Sequence, residues 1–187
     1  LLQAQKLQED LANFVSDEEL FVYPANELIA AELSVASPEL RSQRVEVLNH
    51  WSKSNKGIVI VPIPGLRKLL PPKEVWKNYQ FSFKLGEDLD LETAIRTFIS
   101  MGYSRVEMVS SPGEFSIRGG IVDIAISENK GVRIEFWGDE VDSIRYFNIS
   151  DQRSTEMLEK ILIYPAHEFL IDKSLDKISK RILKKET

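Results

Sequence analysis

The chain has 187 residues, 43% of them hydrophobic and 28% charged, with 24 basic against 29 acidic side chains and no cysteine. That length accommodates roughly one to two domains, and the apolar fraction suffices for a packed core, which excludes wholesale disorder. The lack of cysteine excludes a disulfide scaffold and thiolate metal sites and fits a reducing cytoplasm; no apolar run reaches the roughly 18–20 residues that span a bilayer, and no signal peptide is visible.

The chain opens at Leu1 rather than Met, which reads as a fragment of a longer protein. Residues 2–15 place Ala4, Leu7, Leu11 and Phe14 on one face, predicting an amphipathic helix. The apolar run 20–23, stopped by Pro24, reads as a buried strand. Ser37-Pro38-Glu39 is a helix start, because Ser can cap, Pro suits the first helical position and Glu favours the positive helix end. Leu40, Arg44, Val47, Leu48 and Trp51 then share a face, and Gly57 is the expected stop. The β-branched run 58–61 reads as a strand covered on both faces. This order suggests an α/β layer with a parallel sheet.

Pro71-Pro72 punctuates the chain, and the pattern changes beyond about residue 80. Residues 79–85 alternate. Asp90 could cap a helix over 91–101 with Leu91, Ala94, Ile95 and Phe98 inward and Gly102 as the stop. The runs 105–109, 114–118, 121–126, 132–137 and 141–147 follow, separated by turn signals such as Gly119-Gly120. They predict a meander of antiparallel hairpins with one helix as cover. Residues 158–164 read as a strand leading out, and 174–185 as a helix.

Charge is uneven along this order. Residues 1–80 carry 9 basic and 10 acidic groups, residues 81–164 carry 9 and 15, and residues 165–187 carry 6 and 4. An acidic middle segment argues against a DNA-binding surface, which usually shows a basic stripe. A phosphate-cradling loop needs glycines followed by Lys and Ser or Thr, and Gly119-Gly120 is followed by Ile-Val-Asp, so it reads as a hairpin turn. His50 and His167 stand in no metal-ligand spacing. The acids Asp139, Glu140 and Asp142 cluster in and beside a turn, where solvated charge is the plain reading. Nothing in these residues argues for an enzyme.

Strand alternation singles out one face. In 133–137, Ile134 and Phe136 face the core, leaving Arg133, Glu135 and Trp137 outside; in 115–118, Phe115 and Ile117 face inward, leaving Ser116 and Arg118 outside. Trp and Arg are the residues most enriched in interface hot spots. Arg118, Arg133 and Trp137 on one sheet would make a small basic and aromatic patch suited to an acidic protein surface. The competing readings are that Trp137 packs under a loop or against the 91–101 helix, and that Arg133 and Glu135 form an ordinary same-face pair.

At these residues the sequence becomes familiar. The stretch 112–154, PGEFSIRGGIVDI…VRIEFWGDEVDSIRYFNISDQRS, closely resembles the N-terminal region of the bacterial transcription-repair coupling factor family (Mfd), as do YPANELIAAELSVASPELRSQR at 23–44 and LLPPKEVW at 69–76. The resemblance covers nearly the whole chain, and the region is homologous to part of the excision-repair protein UvrB. It implies that residues 1–80 are part of a degenerate RecA-like α/β domain, that 81–164 form an inserted antiparallel, β-rich UvrA-binding domain, and that 165–187 return toward the first domain. It implies a non-catalytic module that recruits UvrA to stalled RNA polymerase, with contacts at Arg118, Arg133, Glu135 and Trp137. Trp137 stands where Phe is usual. Ser116 stands where UvrB often carries a second Arg, so one ion pair of the UvrB mode is expected to be absent. A UvrB fragment is the nearest confusable reading. UvrB has a tyrosine-rich DNA-gripping hairpin after its YP-type strand, whereas residues 24–37 here contain no aromatic. The resemblance implies no cofactor for this chain; ATP and Mg, DNA and RNA polymerase would engage other domains of the full-length protein, and a C-terminal domain of that protein would mask this one. A DNA- or nucleotide-binding helicase-like fragment is the remaining alternative.

Overall fold

The computed structural model describes residues 2–16, 19–25, 37–54, 56–67 and 70–168. The helix expected over 174–185 lies outside the described residues.

The first helix, α1, spans Leu2–Leu11 and buries Ala4. It ends before Phe14, which is exposed rather than on an apolar helix face. The cause is local: the Asn13 side chain donates to the Glu9 and Asp10 carbonyls, taking acceptors that a continuing helix would use. Strand β1 (Leu20–Val22) pairs in parallel with β2 (Ile58–Ile60), as the α/β reading expects. Between them α2 spans Pro38–Lys53 and buries Arg44, Val47 and Leu48. Ser37 precedes it, but its hydroxyl bonds the Glu39 carboxylate instead of a helix N–H. The helix closes at Ser54, three residues before Gly57, whose amide sits in the loop that follows. The parallel pair has only two strands among the described residues, and Ile58 is exposed, so the run 58–61 is not covered on both faces. A 3-10 turn over Ile63–Arg67 and α3 (Lys73–Asn78) follow. Trp76 of α3 is buried against Tyr23, Val47 and Leu48, with its indole N–H donating to Asn49 Oδ1 at 3.0 Å.

The chain then enters a β-rich region through β3 (Phe81–Lys84) and leaves it through β10 (Lys160–Ile163), which pair antiparallel with each other. Helix α4 (Leu91–Ser100) is capped as its sequence predicts: the Asp90 carboxylate accepts from the Thr93 and Glu92 N–H groups at 3.0 and 3.3 Å. Six strands form the main sheet: β4 (Ser104–Arg105), β5 (Glu114–Arg118), β6 (Ile121–Ala125), β7 (Lys130–Trp137), β8 (Glu140–Asn148) and β9 (Ser154–Met157), hydrogen-bonded in that order. From β5 to β9 every pairing is antiparallel, the expected meander.

Two local departures have clear causes. Of the run 105–109 only Arg105 is strand; with Ser104 it makes β4, paired in parallel with β5. Beyond it the Glu114 carboxylate accepts the Ser110 and Ser111 N–H groups at 2.8 and 2.9 Å, fixing the turn that follows the run, and 106–109 are loop where a strand was expected. The strand β9 comes from a polar stretch, STEM, that carries no alternation and is exposed throughout.

The core lies between one face of the main sheet and a cover made by α4 and the β3–β10 ribbon. Phe98 of α4 packs against Phe83, Tyr103 and Phe115, with ring centroids 5.8, 5.8 and 5.4 Å apart. Val122, Ile124, Val132, Ile134 and Ile144 fill the sheet side, all fully buried. Tyr103 donates its hydroxyl to the Tyr164 carbonyl at 2.8 Å, and burial raises its pKa above the ordinary tyrosine value. The β-rich region is tied back to α2 by a buried ion pair, Arg44 Nε to Glu168 Oε1 at 2.9 Å. Tyr23 lies close by, and burial, reinforced by the Glu168 charge, pushes its pKa up to about 12.

Candidate functional site

The opposite face of the main sheet carries the residues that alternation selected. Pairing fixes which of them meet. Ser116, Asp123, Arg133 and Arg145 form one row across β5, β6, β7 and β8. Arg118, Ile121, Glu135 and Ser143 form the next. Between Glu135 and Phe136 the register shifts, because Glu135 pairs with Ser143 while Phe136 pairs with Val141. This bulge keeps Val141 in the core while Trp137 continues past the last core residue. Trp137 is 82% exposed, so neither a covering loop nor α4 hides it.

The β5–β6 turn is pressed against the end of β7. The Phe136 N–H donates to the Gly120 carbonyl at 2.8 Å. A Cβ on Gly120 would stand 2.7 Å from the Phe136 carbonyl oxygen, so a side chain there would push the turn off the strand. Glycine at 120 therefore keeps Arg118, two residues earlier, on the same end of the sheet as Trp137.

The two arginines are not free cations. Both converge on Asp123, whose side chain is 1% exposed. Arg133 grips it with two bonds, Nε to Oδ1 at 2.6 Å and Nη2 to Oδ2 at 3.0 Å. Arg118 Nη2 donates to the same Oδ2 at 2.6 Å. Asp123 thus neutralises one of the two charges, a bidentate arrangement that guanidinium and carboxylate planes favour. The hydrogen bonds that Arg133 donates to Asp123 raise the Arg133 pKa above its ordinary value, against the opposing effect of burial. Arg133 also lies over the Phe147 ring, 4.9 Å from its centroid. That ring in turn rests on Gly131, where a Cβ would come within 2.3 Å of it. Phe147, Ala125 and Val109 make a second small core on this face, so half of the face is sealed and half is open.

Exposure separates the four expected residues. Trp137 and the Arg118 side chain, 50% exposed, are outermost. Arg133, at 16%, sits behind them. Glu135 is about a third exposed and pairs with Arg145, Nη2 to Oε2 at 2.7 Å, and with the Ser143 hydroxyl at 2.8 Å. In place of the Arg133–Glu135 pair of the competing reading there are two cross-strand pairings, Arg133 with Asp123 and Glu135 with Arg145. Ser116, expected to point into solvent, shares this face but is buried beside Asp123. Sequence reasoning missed Asp123, Ser143 and Arg145. The signal for Asp123 was present: a lone carboxylate between Val122 and Ile124, both in the core, has to find a cation on the other face.

A cleft beside α2, about 360 Å³ and lined by Asn49, Lys53, Tyr146 and Tyr164 among others, includes none of these residues. Among the described residues no group of His, Asp and Glu could hold a metal ion, and no helix is long and apolar enough to cross a membrane. The face is a shallow, charge-paired surface edged by one exposed indole, which suits contact with another macromolecule.

Comparison with known proteins gives the same region a kinship. The family model described as "UvrB interaction domain" matches residues 81–169. The chain is 48% identical over 172 residues to the transcription-repair-coupling factor of Bacillus subtilis, 91% of this chain and 15% of that protein. It is 40% identical over 184 residues to that of Staphylococcus aureus strain Mu50, 98% of this chain and 16% of that protein. The chain thus spans about 15% of the length of these relatives. It is a relative of the transcription-repair-coupling factors, and its β-rich region is the part that matches the UvrB interaction domain.

Proposed function

We propose that this chain is a non-catalytic docking module that binds UvrA, and that a coupling factor of the kind it resembles uses it to bring excision repair to stalled RNA polymerase. The observation that carries the reading is Trp137, an indole 82% exposed at the same end of the sheet as the half-exposed Arg118. An exposed Trp beside an Arg anchored from below is the composition of an interface hot spot. Arg118, with Arg133 and Glu135 behind it, would meet carboxylates and partner cations, while Trp137 would enter an apolar pocket. The match of residues 81–169 to the UvrB interaction domain supports the same reading.

The domain arrangement follows as part of this proposal. Residues 1–80 belong to a RecA-like α/β layer, 81–164 are inserted into it, and 165–187 return. The side-by-side entry and exit strands β3 and β10 support it, as does the Arg44–Glu168 tie back to α2. ATP, Mg, DNA and RNA polymerase would be handled by other parts of the longer protein, in the cytoplasm.

The test is binding of purified UvrA to the chain by calorimetry. Arg118→Ala combined with Arg133→Ala should abolish measurable binding while the circular dichroism spectrum persists. Unchanged affinity with the fold intact means the face is wrongly assigned. Affinity for duplex DNA that falls steeply with salt would favour the nucleic-acid reading instead.

A further inference from the structure

Asp123 accepts more guanidinium than it needs for its own burial. Arg133 alone satisfies both carboxylate oxygens, through Nε and Nη2. That pair is complete, enclosed, and stacked on Phe147. Arg118 adds a third bond to Oδ2 from a half-exposed position. The two residues after it, Gly119 and Gly120, have no side chains to hold it, Ile117 before it packs against the core, and its cross-strand neighbour is the apolar Ile121. An arginine in that setting would sample many rotamers in water. The contact with Asp123 selects one of them. It uses Nη2 and makes no bond through Nε or Nη1 to the sheet's own carboxylate.

We propose that Asp123 is the positioning residue of the docking face, holding the Arg118 fork ready for a carboxylate on the partner. This rests on the docking reading above. Asp123 itself is enclosed and touches no partner. It acts through Arg118, with Arg133 as the brace that holds the carboxylate in place. The net positive charge left on the trio resides at its exposed end, where an acidic partner surface can reach it. Prior ordering of a long side chain improves affinity because that freedom need not be lost on binding.

The experiment is a double-mutant cycle on the 187-residue chain, with purified UvrA as the probe and Arg118→Ala and Asp123→Asn as the two changes. Arg118→Ala should weaken binding. Asp123→Asn should weaken it about three- to tenfold, the scale of ordering one long side chain. The double variant should bind no worse than Arg118→Ala alone, because Asp123 has nothing left to position. In the free chain, the Arg118 Nε–H signal should be ordered in the wild type and averaged in Asp123→Asn. Multiplicative losses in the cycle, or full affinity in a folded Asp123→Asn, overturn the proposal. If Asp123→Asn does not fold, Arg118→Lys decides: it keeps the charge and removes the fork, so it should lose as much as Arg118→Ala. Full affinity in Arg118→Lys overturns the positioning role. Full affinity in Arg118→Ala overturns the docking reading with it.

Discussion

The two regions of this chain are built on different terms. Among the described residues, fourteen buried apolar residues make one core between the main sheet and α4, whereas four, Tyr23, Val47, Leu48 and Trp76, make that of residues 2–80. The first region also leaves Phe14, Ile63 and Leu66 exposed, and its parallel sheet has two strands among the described residues. The β-rich region therefore contains what stabilises it, and the α/β region leans on it through Arg44 and Glu168. What this teaches is where function can be placed. A face that presents Trp137 to water while charges are held in fixed pairs needs a rigid sheet beneath it.

That contrast can be broken at its strongest point first. Phe98→Ala removes the ring at the centre of the aromatic cluster and should cost about 3–5 kcal/mol, measured by denaturant unfolding. A loss below 1 kcal/mol would mean the core is not where the β-rich region keeps its stability. Arg44→Ala leaves Glu168 buried without its cation and should cost roughly 3 kcal/mol, since both side chains are almost wholly enclosed. Hydrogen exchange sharpens this test: protection should fall in α2 and persist in β6, β7 and β8. Uniform loss would show that the regions unfold as one.

Trp137→Ala should leave stability within about 0.5 kcal/mol, because the indole covers nothing, while UvrA binding weakens by about 2 kcal/mol or more. A matching drop in melting temperature would mean that the indole supports the sheet. The smallest effect concerns pH. The Thr93 hydroxyl, and then the Thr93 N–H, hold the Asp90 carboxyl below its ordinary value. Its folded pKa is thus lower than its unfolded one, so its contribution is present above the unfolded value and lost as pH falls through the folded value. Acid titration of the thermal midpoint should be shallower for Asp90→Asn than for the wild type.

Much of the β-rich region was legible because its signals are local. Alternation at 115–118 and 133–137 names the inward residues Phe115, Ile117, Ile134 and Phe136; Phe115 and Ile134 are fully buried, and Ile117 and Phe136 pack against the core partly buried. Asp90 announces its helix by the chemistry of one cap. The same reasoning put Trp137 outside. It erred where the run 105–109 gives one strand residue and turns into loop, and where Asn13 stops α1 early. It was silent on β9, which is a strand only because β8 offers an edge to pair with.

The sequence by itself determined which side chains leave the sheet on each face, because a strand's two-residue period is a property of its own backbone. Only the tertiary structure decided which of those side chains meet. Asp123 lies five residues from Arg118 and ten from Arg133, and they converge because register aligns three strands. Register, a bulge at Glu135 and Phe136, and the burial of Ser116 are sums over contacts distant in the chain, and no local pattern encodes them.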